Sequence, residues 1–349
     1  MLVLHAYSAE NAGDGLLVHE TLALIREALG DDVAVTMLAI RPETFSDLDV
    51  TVLRSTPSAR GWDAGFRHTL RTMDDFDLVV AVGGGYLRAG TPVETVKMLL
   101  THASQLRAAA RTRTPTVYLP QSIGPARYGL RRPLRQLLGK VDSVMLRDDR
   151  SMQEVGGPTS KRVPDLATAA VAVGRRPGQP AAQIPVLSIR AVHGKVSSAI
   201  YDLGRMLGTY DGYVQSTTGG NDDRPAAATL TPRTTLSRET LMNPGGQPRV
   251  VIAVRLHAAL MALAAGHYVI HLAYERKGFG AFGDLGLSDW VHSVNNFDAL
   301  HVHSQARALL DDPDRRDTYD AQIATAAERL ADARGFVIGA LRDALYTHK

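Results

Sequence analysis

Arg255-Leu256-His257 follows the apolar run Val250 to Val254 and opens an alanine-rich stretch of helical spacing that closes at Ala265-Gly266. An arginine that can grip a carboxylate or phosphate through two parallel hydrogen bonds thus arrives beside an imidazole able to move a proton. Three further strand-like runs end in basic residues: SVML before Arg147, PVLSI before Arg190, and YVIHLAY before Glu275-Arg276-Lys277. In an open parallel sheet, ligands bind at the carboxyl ends of strands, where the following helix also points its positive end. Cations gathered there imply an anionic ligand, with the arginines as oriented clamps and Lys277 as a compact point charge.

Other segments add polar or permissive backbone. Asn11-Ala12-Gly13-Asp14-Gly15 falls at the first strand-to-helix turn, where Asn11 and Asp14 either meet a ligand or simply form the turn and cap the helix. Gly83-Gly84-Gly85 ends an apolar strand, and three glycines in a row fit close approach by a substrate to Gly84 and Gly85. Neither segment is GxGxxG, and no Gly-Lys-Ser/Thr follows the triple glycine, so dinucleotide binding and Walker-type ATP chemistry are not expected. Asp222-Asp223 lies in a Gly/Asn-rich loop where turn chemistry accounts for an acidic pair, and no metal is expected. The histidines show no H-E-x-x-H spacing, and no G-x-S-x-G occurs. With no cysteine in the chain, disulfides, thiolate nucleophiles and cysteine-ligated metals are excluded.

The elements that must hold these groups alternate. Strands are expected at Val3–Tyr7, Val33–Ile40, Asp77–Val82, Thr116–Leu119 and Ser143–Leu146, separated by helix-length segments that include Leu16–Leu29 and Val93–Ala110. Such alternation implies parallel pairing through right-handed crossovers in a Rossmann-like layer structure. Residues 171–185, rich in Gly, Pro and Arg, read as a linker, after which alternation restarts at Pro185–Ile189, Tyr213–Gln215, Val250–Val254 and Tyr268–Tyr274. Two domains, 1–170 and 186–349, follow, with helical material from Tyr319 to Leu345 available to pack back on the first. The polar stretch 217–248 is too long for an ordinary connection and reads as a functional or mobile loop with a short helix near Ser237–Met242.

Over 349 residues, 45% hydrophobic and 21% charged content fits a folded chain with more than one core. No run approaches the roughly 20 apolar residues of a membrane helix, and Met1-Leu2-Val3-Leu4-His5 lacks the features of an export signal, so a cytoplasmic protein is expected. Net charge is only +3, from 39 basic and 36 acidic residues. Arg131-Arg132 with Arg135 and Lys140 form a basic helix face, which fits solvation or an acidic membrane surface better than nucleic acid.

Read together, NAGDG at 11–15, VVAVGGGYL at 79–87, LPQSIGP at 119–125, VMLRDDRS at 144–151, VPDLA at 163–167 and RLHAALMALAAGHYVIHLAYERK at 255–277 resemble the polysaccharide pyruvyl transferase family. One departure is His267-Tyr268, where the family pattern usually has proline. The resemblance implies two Rossmann-like domains facing across a cleft, similar to the GT-B architecture, the second domain on the donor side and the first on the acceptor side. It also implies transfer of a pyruvyl group from phosphoenolpyruvate to sugar hydroxyls of a cell-surface polysaccharide or its precursor, closing a ketal. By that resemblance Arg255, Leu256 and His257 line the donor pocket and Arg147 is a further donor contact. His257 is then the candidate acid, Arg255, Lys277 and Arg147 hold the carboxylate and phosphate and offset charge on the departing group, and Arg147, Arg190, Leu256, Asn11, Asp14, Gly84, Gly85, Gln121 and Asp223 make up the substrate-binding set. Asp14, Asp165 and Asp223 stay open as the base. No cofactor is expected beyond phosphoenolpyruvate as donor substrate, with a free or lipid-linked glycan as acceptor and the inner membrane face as a place of work. The rival readings are a GT-B nucleotide-sugar glycosyltransferase, a non-catalytic anion-binding protein, and a docking partner in an envelope-assembly complex.

Overall fold

A computed structural model describes residues 1–58, 61–171, 177–217, 222–243 and 245–346. The chain divides into two units, the first made of Met1–Glu10, Asp14–Leu166 and the residues from Asp332 onward, the second of Asn11–Gly13 and Ala167–Ala331. The closing helix, Pro313–Tyr346, contributes residues to both.

In the first unit lie β1 (Leu2–Ala6), β2 (Thr36–Ala39), β3 (Thr51–Arg54), β4 (Val79–Ala81), β5 (Thr116–Gln121), β6 (Ser143–Leu146) and β7 (Ser160–Arg162). They form one parallel sheet in the order β3-β2-β1-β4-β5-β6-β7. In the second lie β8 (Ala182–Ser188), β9 (Asp211–Tyr213), β10 (Thr235–Leu236), β11 (Arg249–Ala253), β12 (Tyr268–Ala273) and β13 (Val291–Ser293), also parallel, in the order β10-β9-β8-β11-β12-β13. Each order reverses direction once, between β1 and β4 and between β8 and β11. Those two reversals mark the crevices where such sheets take ligands.

Strand side chains alternate between two covered faces, which is why the central strands read as unbroken apolar runs. In the first unit Val3, Val80, Val117 and Met145 pack with Leu17, Leu22 and Ile25 of the helix Ala12–Leu29 and with Val337 and Leu341 of the closing helix. Leu4, Ala81, Tyr118 and Leu146 face the other way, onto Met98, Leu106, Leu134 and Leu138.

The strands β3, β7, β10 and β13 are additions to the sequence reading. The expected helix Val93–Ala110 is two helices, Pro92–Thr101 and Ala103–Ala109. The first starts with a capping box in which Thr91 and Glu94 satisfy each other's backbone N–H. The break comes at His102, which is buried. Within the stretch expected as a loop at 217–248, the helices Arg224–Ala228 and Arg238–Leu241 and β10 are present, while 218–221 and 244 lie outside the described residues. Of the linker, 172–176 likewise lie outside them, and β8 already begins at Ala182. Its pairing with β11 slips between Arg249 and Val251, a bulge that admits Pro185 into a central strand.

His5 is the backbone outlier of β1, with φ +68° inside a strand whose pairing with β2 also slips. Tertiary contacts hold it there. Its N–H donates to Gln105 Oε1 (2.9 Å), its Nδ1 shares a hydrogen bond with His102 Nδ1 (3.2 Å), its Nε2 meets Tyr118 Oη (3.1 Å), and its ring stacks on Tyr86. Burial holds His5 well below the usual histidine range, helped by the proximity of His102, and takes His102 down to about 3, helped by the positive charge of Lys97. Both imidazoles are therefore neutral in the native state. Below pH about 6.5 the unfolded chain takes up protons that the native chain refuses, so each buried histidine should cost about 1.4 kcal/mol of stability per pH unit. Denaturant titrations should show stability flat above neutrality and falling from pH 6.5 towards 4, with a shallower fall for His102→Gln. An unchanged slope in that variant would mean that the pair is charged in the native protein.

Candidate functional site

In the second unit the sheet delivers cations to the carboxyl ends of three adjacent strands. Arg190 follows β8, Arg255 follows β11, and Lys277 follows β12 as the second residue of the helix Arg276–Asp284. Arg255 is buried at the N-cap of the helix Leu256–Ala264, whose positive end adds to theirs. Leu256 is buried and His257 half-buried as its first two residues.

Arg255 is held by Asp223, through Nε to Oδ2 and Nη2 to Oδ1 (2.7 Å). Asp223 caps the helix Arg224–Ala228 by position and donates its own N–H to the Ser216 carbonyl (2.8 Å). Burial raises the Asp223 carboxyl above the usual carboxylate range, opposed by the hydrogen bonds and charge of Arg255 and by the charge of Arg190. Asp223 is thus an arginine partner built into the site. Arg190 donates from Nη1 to Tyr274 Oη (3.0 Å) and lies over that ring, and Lys277 pairs with Glu275 (3.0 Å). Three cations face two carboxylates, so the strand ends keep a positive surplus.

Gly13 belongs to this unit and explains part of the NAGDG segment. A Cβ at Gly13 would lie 2.2 Å from His257 Nδ1, so the imidazole occupies space that only glycine leaves open. Asn11 Oδ1 accepts from Gly13 N–H (3.3 Å), the turn role weighed for it in the sequence. Three residues that the sequence did not single out border the site. Tyr274 orients Arg190, while Gln215 Oε1 and Ser216 Oγ, past the end of β9, are buried without a hydrogen-bond partner. Polar atoms left so call for an occupant, water or ligand. The only sequence signal for them is their place just beyond a strand.

In the first unit, the remaining motif residues converge. Arg147 is buried in an ion pair with Asp165 and donates from Nε to Ser122 Oγ (2.8 Å), which in turn donates to Asp148 Oδ2 (2.6 Å). Asp148 also caps the helix Asp149–Val155 through Ser151 N–H. Three segments, LPQSIGP, RDDRS and VPDLA, are therefore tied by one polar chain. Gly83 packs so closely that a Cβ would stand 2.8 Å from the Pro120 carbonyl, and Gly84, at φ +154°, bridges to Gln121. Gly85 alone of the three is exposed, with Arg147 Nη2 3.5 Å from where its Cβ would be. Gln121 is fully buried and neither atom of its amide has a hydrogen-bond partner. Asp14 sits in the first turn of the helix Ala12–Leu29, where a carboxylate is favoured by the helix's positive end.

His267, where the family pattern departs, is a structural group. Its Nδ1 accepts from Arg249 N–H (3.1 Å) and its Nε2 donates to the Leu241 carbonyl. Among the described residues, no group of three His, Asp or Glu side chains is placed to hold a metal ion, and no helix is long and apolar enough to cross a membrane.

Removing one partner of a buried pair leaves the other charge uncompensated, at a cost of about 3–5 kcal/mol. Asp223→Ala should lose stability on that scale in denaturant unfolding, whereas the double variant Asp223→Ala/Arg255→Met should recover most of it. Equal losses in the two would show that the pair is not the source.

No curated protein matches the sequence. Solved structures that share the fold include a candidate UDP-N-acetylglucosamine 2-epimerase from Listeria monocytogenes (TM-score 0.56, 12% identity, covering 95% of this chain and 94% of that one). Two others are Acinetobacter baumannii MurG (0.56, 12%, 98% and 99%) and sucrose-phosphate synthase from Thermosynechococcus elongatus (0.54, 13%, 100% and 99%). At such identities the likeness is one of fold, a GT-B-like chain with two α/β domains. The profile of the polysaccharide pyruvyl transferases matches residues 11–205, more than half of the chain, a span that takes in the motifs from NAGDG to VPDLA and ends before Arg255. On that match the chain belongs to the polysaccharide pyruvyl transferase family.

Proposed function

We propose that the protein transfers a pyruvyl group from phosphoenolpyruvate to two hydroxyls of one sugar residue, in a free or lipid-linked precursor of a cell-surface polysaccharide, on the cytoplasmic side. The observation that carries this reading is the clamped Arg255 beside His257 at the β8/β11 reversal. Phosphoenolpyruvate presents a carboxylate and a phosphate ester, and an arginine fixed by its own carboxylate partner meets such groups in one orientation.

In this mechanism the His257 imidazolium gives its proton to the donor's methylene carbon, and positive charge develops on the adjacent carbon. An acceptor hydroxyl attacks that carbon as its own proton passes to a carboxylate base. Asp165 and Asp223 are each committed to an arginine, which weighs against them in that role. The second hydroxyl then forms the other C–O bond, its proton passing to the now neutral His257 imidazole, while the bond to phosphate breaks. Phosphate departs with the electron pair, its charge offset by Arg255, Arg190 and Lys277. Phosphoenolpyruvate and a diol thus become a ketal and inorganic phosphate.

Phosphoenolpyruvate should raise the melting temperature of the parent protein and not that of Arg255→Ala. A rise with UDP or GDP alone would replace this reading with nucleotide-sugar glycosyl transfer. His257→Gln should keep the phosphoenolpyruvate shift while losing acceptor-dependent phosphate release, and near-normal release would remove it as the acid. Gly13→Ala should displace the imidazole and lower turnover by about 100-fold with donor binding retained; equal turnover would mean that the ring's position there is not the working one.

A further inference from the structure

Charge is unevenly distributed along the chain. Between Arg88 and Lys140 stand ten Lys and Arg against one acidic residue, Glu94, a surplus of nine where the whole chain has a surplus of three, so the remainder is net acidic. This stretch supplies the helices Pro92–Thr101, Ala103–Ala109 and Arg131–Leu138, which cover one face of the first sheet through Met98, Leu106, Leu134 and Leu138. Their outward sides are basic, as at Arg107, Arg132 and Arg135.

The same surface is also apolar where it should not be. On the helix Pro92–Thr101, Met98 and Thr101 point inward, while Val93 (79% exposed), Val96 (56%) and Leu100 (48%), three and four residues apart, form an outward stripe with Leu99 beside it. Tyr128 (57%) joins them. It stands in a turn just after the isolated bridge between Ala89 and Ala126, which ties it to the start of that helix, with Ala89 N–H donating to the Pro125 carbonyl and Arg127 N–H to the Ala89 carbonyl. A solvated helix has no use for such a stripe, and a patch of this kind marks an interaction surface.

We infer that this face docks on an anionic lipid surface. Aliphatic side chains set among basic ones match the two signals of interfacial binding: burial of apolar area at the headgroup boundary, and attraction of Lys and Arg to acidic lipids. A second copy packed through the same face would oppose two surfaces of the same positive sign, which a two-fold contact cannot avoid. Nucleic acid would leave the aliphatic stripe facing a hydrophilic backbone, and Tyr128 is a single ring where successive bases of a single strand would need a series of stacking platforms. The inference goes beyond pyruvyl transfer and does not depend on it.

The full-length protein should float with vesicles of phosphatidylcholine and phosphatidylglycerol, stay behind with phosphatidylcholine alone, and be released by raised salt. Arg132→Glu/Arg135→Glu should weaken vesicle binding by at least about tenfold. Val96→Glu/Leu100→Glu should do the same, and because all four positions are exposed, both variants should keep the parent's melting temperature. Failure of the parent to float, or flotation unchanged in both variants, would overturn the proposal. So would tighter binding to single-stranded RNA than to anionic vesicles, or a dimer in light scattering that Val96→Glu/Leu100→Glu dissolves while vesicles are ignored.

Discussion

The pairing of Arg255 with Asp223 is the constraint on which the second unit's chemistry rests. A guanidinium buried at a strand end pays heavily in lost hydration, and a single opposed carboxylate returns only part of it. The raised proton affinity of Asp223 is the visible sign of that imbalance. What the pair secures is direction. With two of its nitrogens committed, Arg255 has no freedom to fold away, and an anion arriving at the β8/β11 crevice meets a donor already aimed. The pair also draws the segment around Asp223 to the sheet, because Asp223 is tied to Ser216 as well as to Arg255.

A similar device recurs in the first unit with a different emphasis. Arg147 and Asp165 are both buried, but the chain of contacts runs on through Ser122 and Asp148 into a helix cap. The motif residues there serve first to lock β5, β6 and the segment after β7 together, leaving Gly85 as the exposed member of the glycine run.

Legibility in the sequence followed burial. The interior strands, covered on both faces, were readable as apolar runs within a few residues. The four strands not foreseen, TVLR, SKR, TL and VHS, are the four sheet edges. Edge strands are short and polar because that blunts open hydrogen-bonding rims, so an apolar signal is weakest where a sheet stops. The cations at the carboxyl ends were likewise visible, since each stands directly after such a run. Their partners were not. Asp223 lies 32 residues from Arg255 in a stretch whose composition describes a turn, and no local pattern records which carboxylate will fold onto which guanidinium. Gly13 was legible as a turn glycine, but its service to His257 is a fact of space alone.

Neither unit is a continuous piece of chain: the second includes Asn11–Gly13, and the first is finished by residues from Asp332 onward. A chain made from its amino terminus would therefore assemble the β1–β7 sheet with one apolar face still lacking Val337 and Leu341. Until synthesis reaches those residues, the nascent first unit carries an open hydrophobic trough. The helix Pro313–Tyr346 is then the element that seals it, so the first unit's core is completed by residues that are made only after the whole of the second unit.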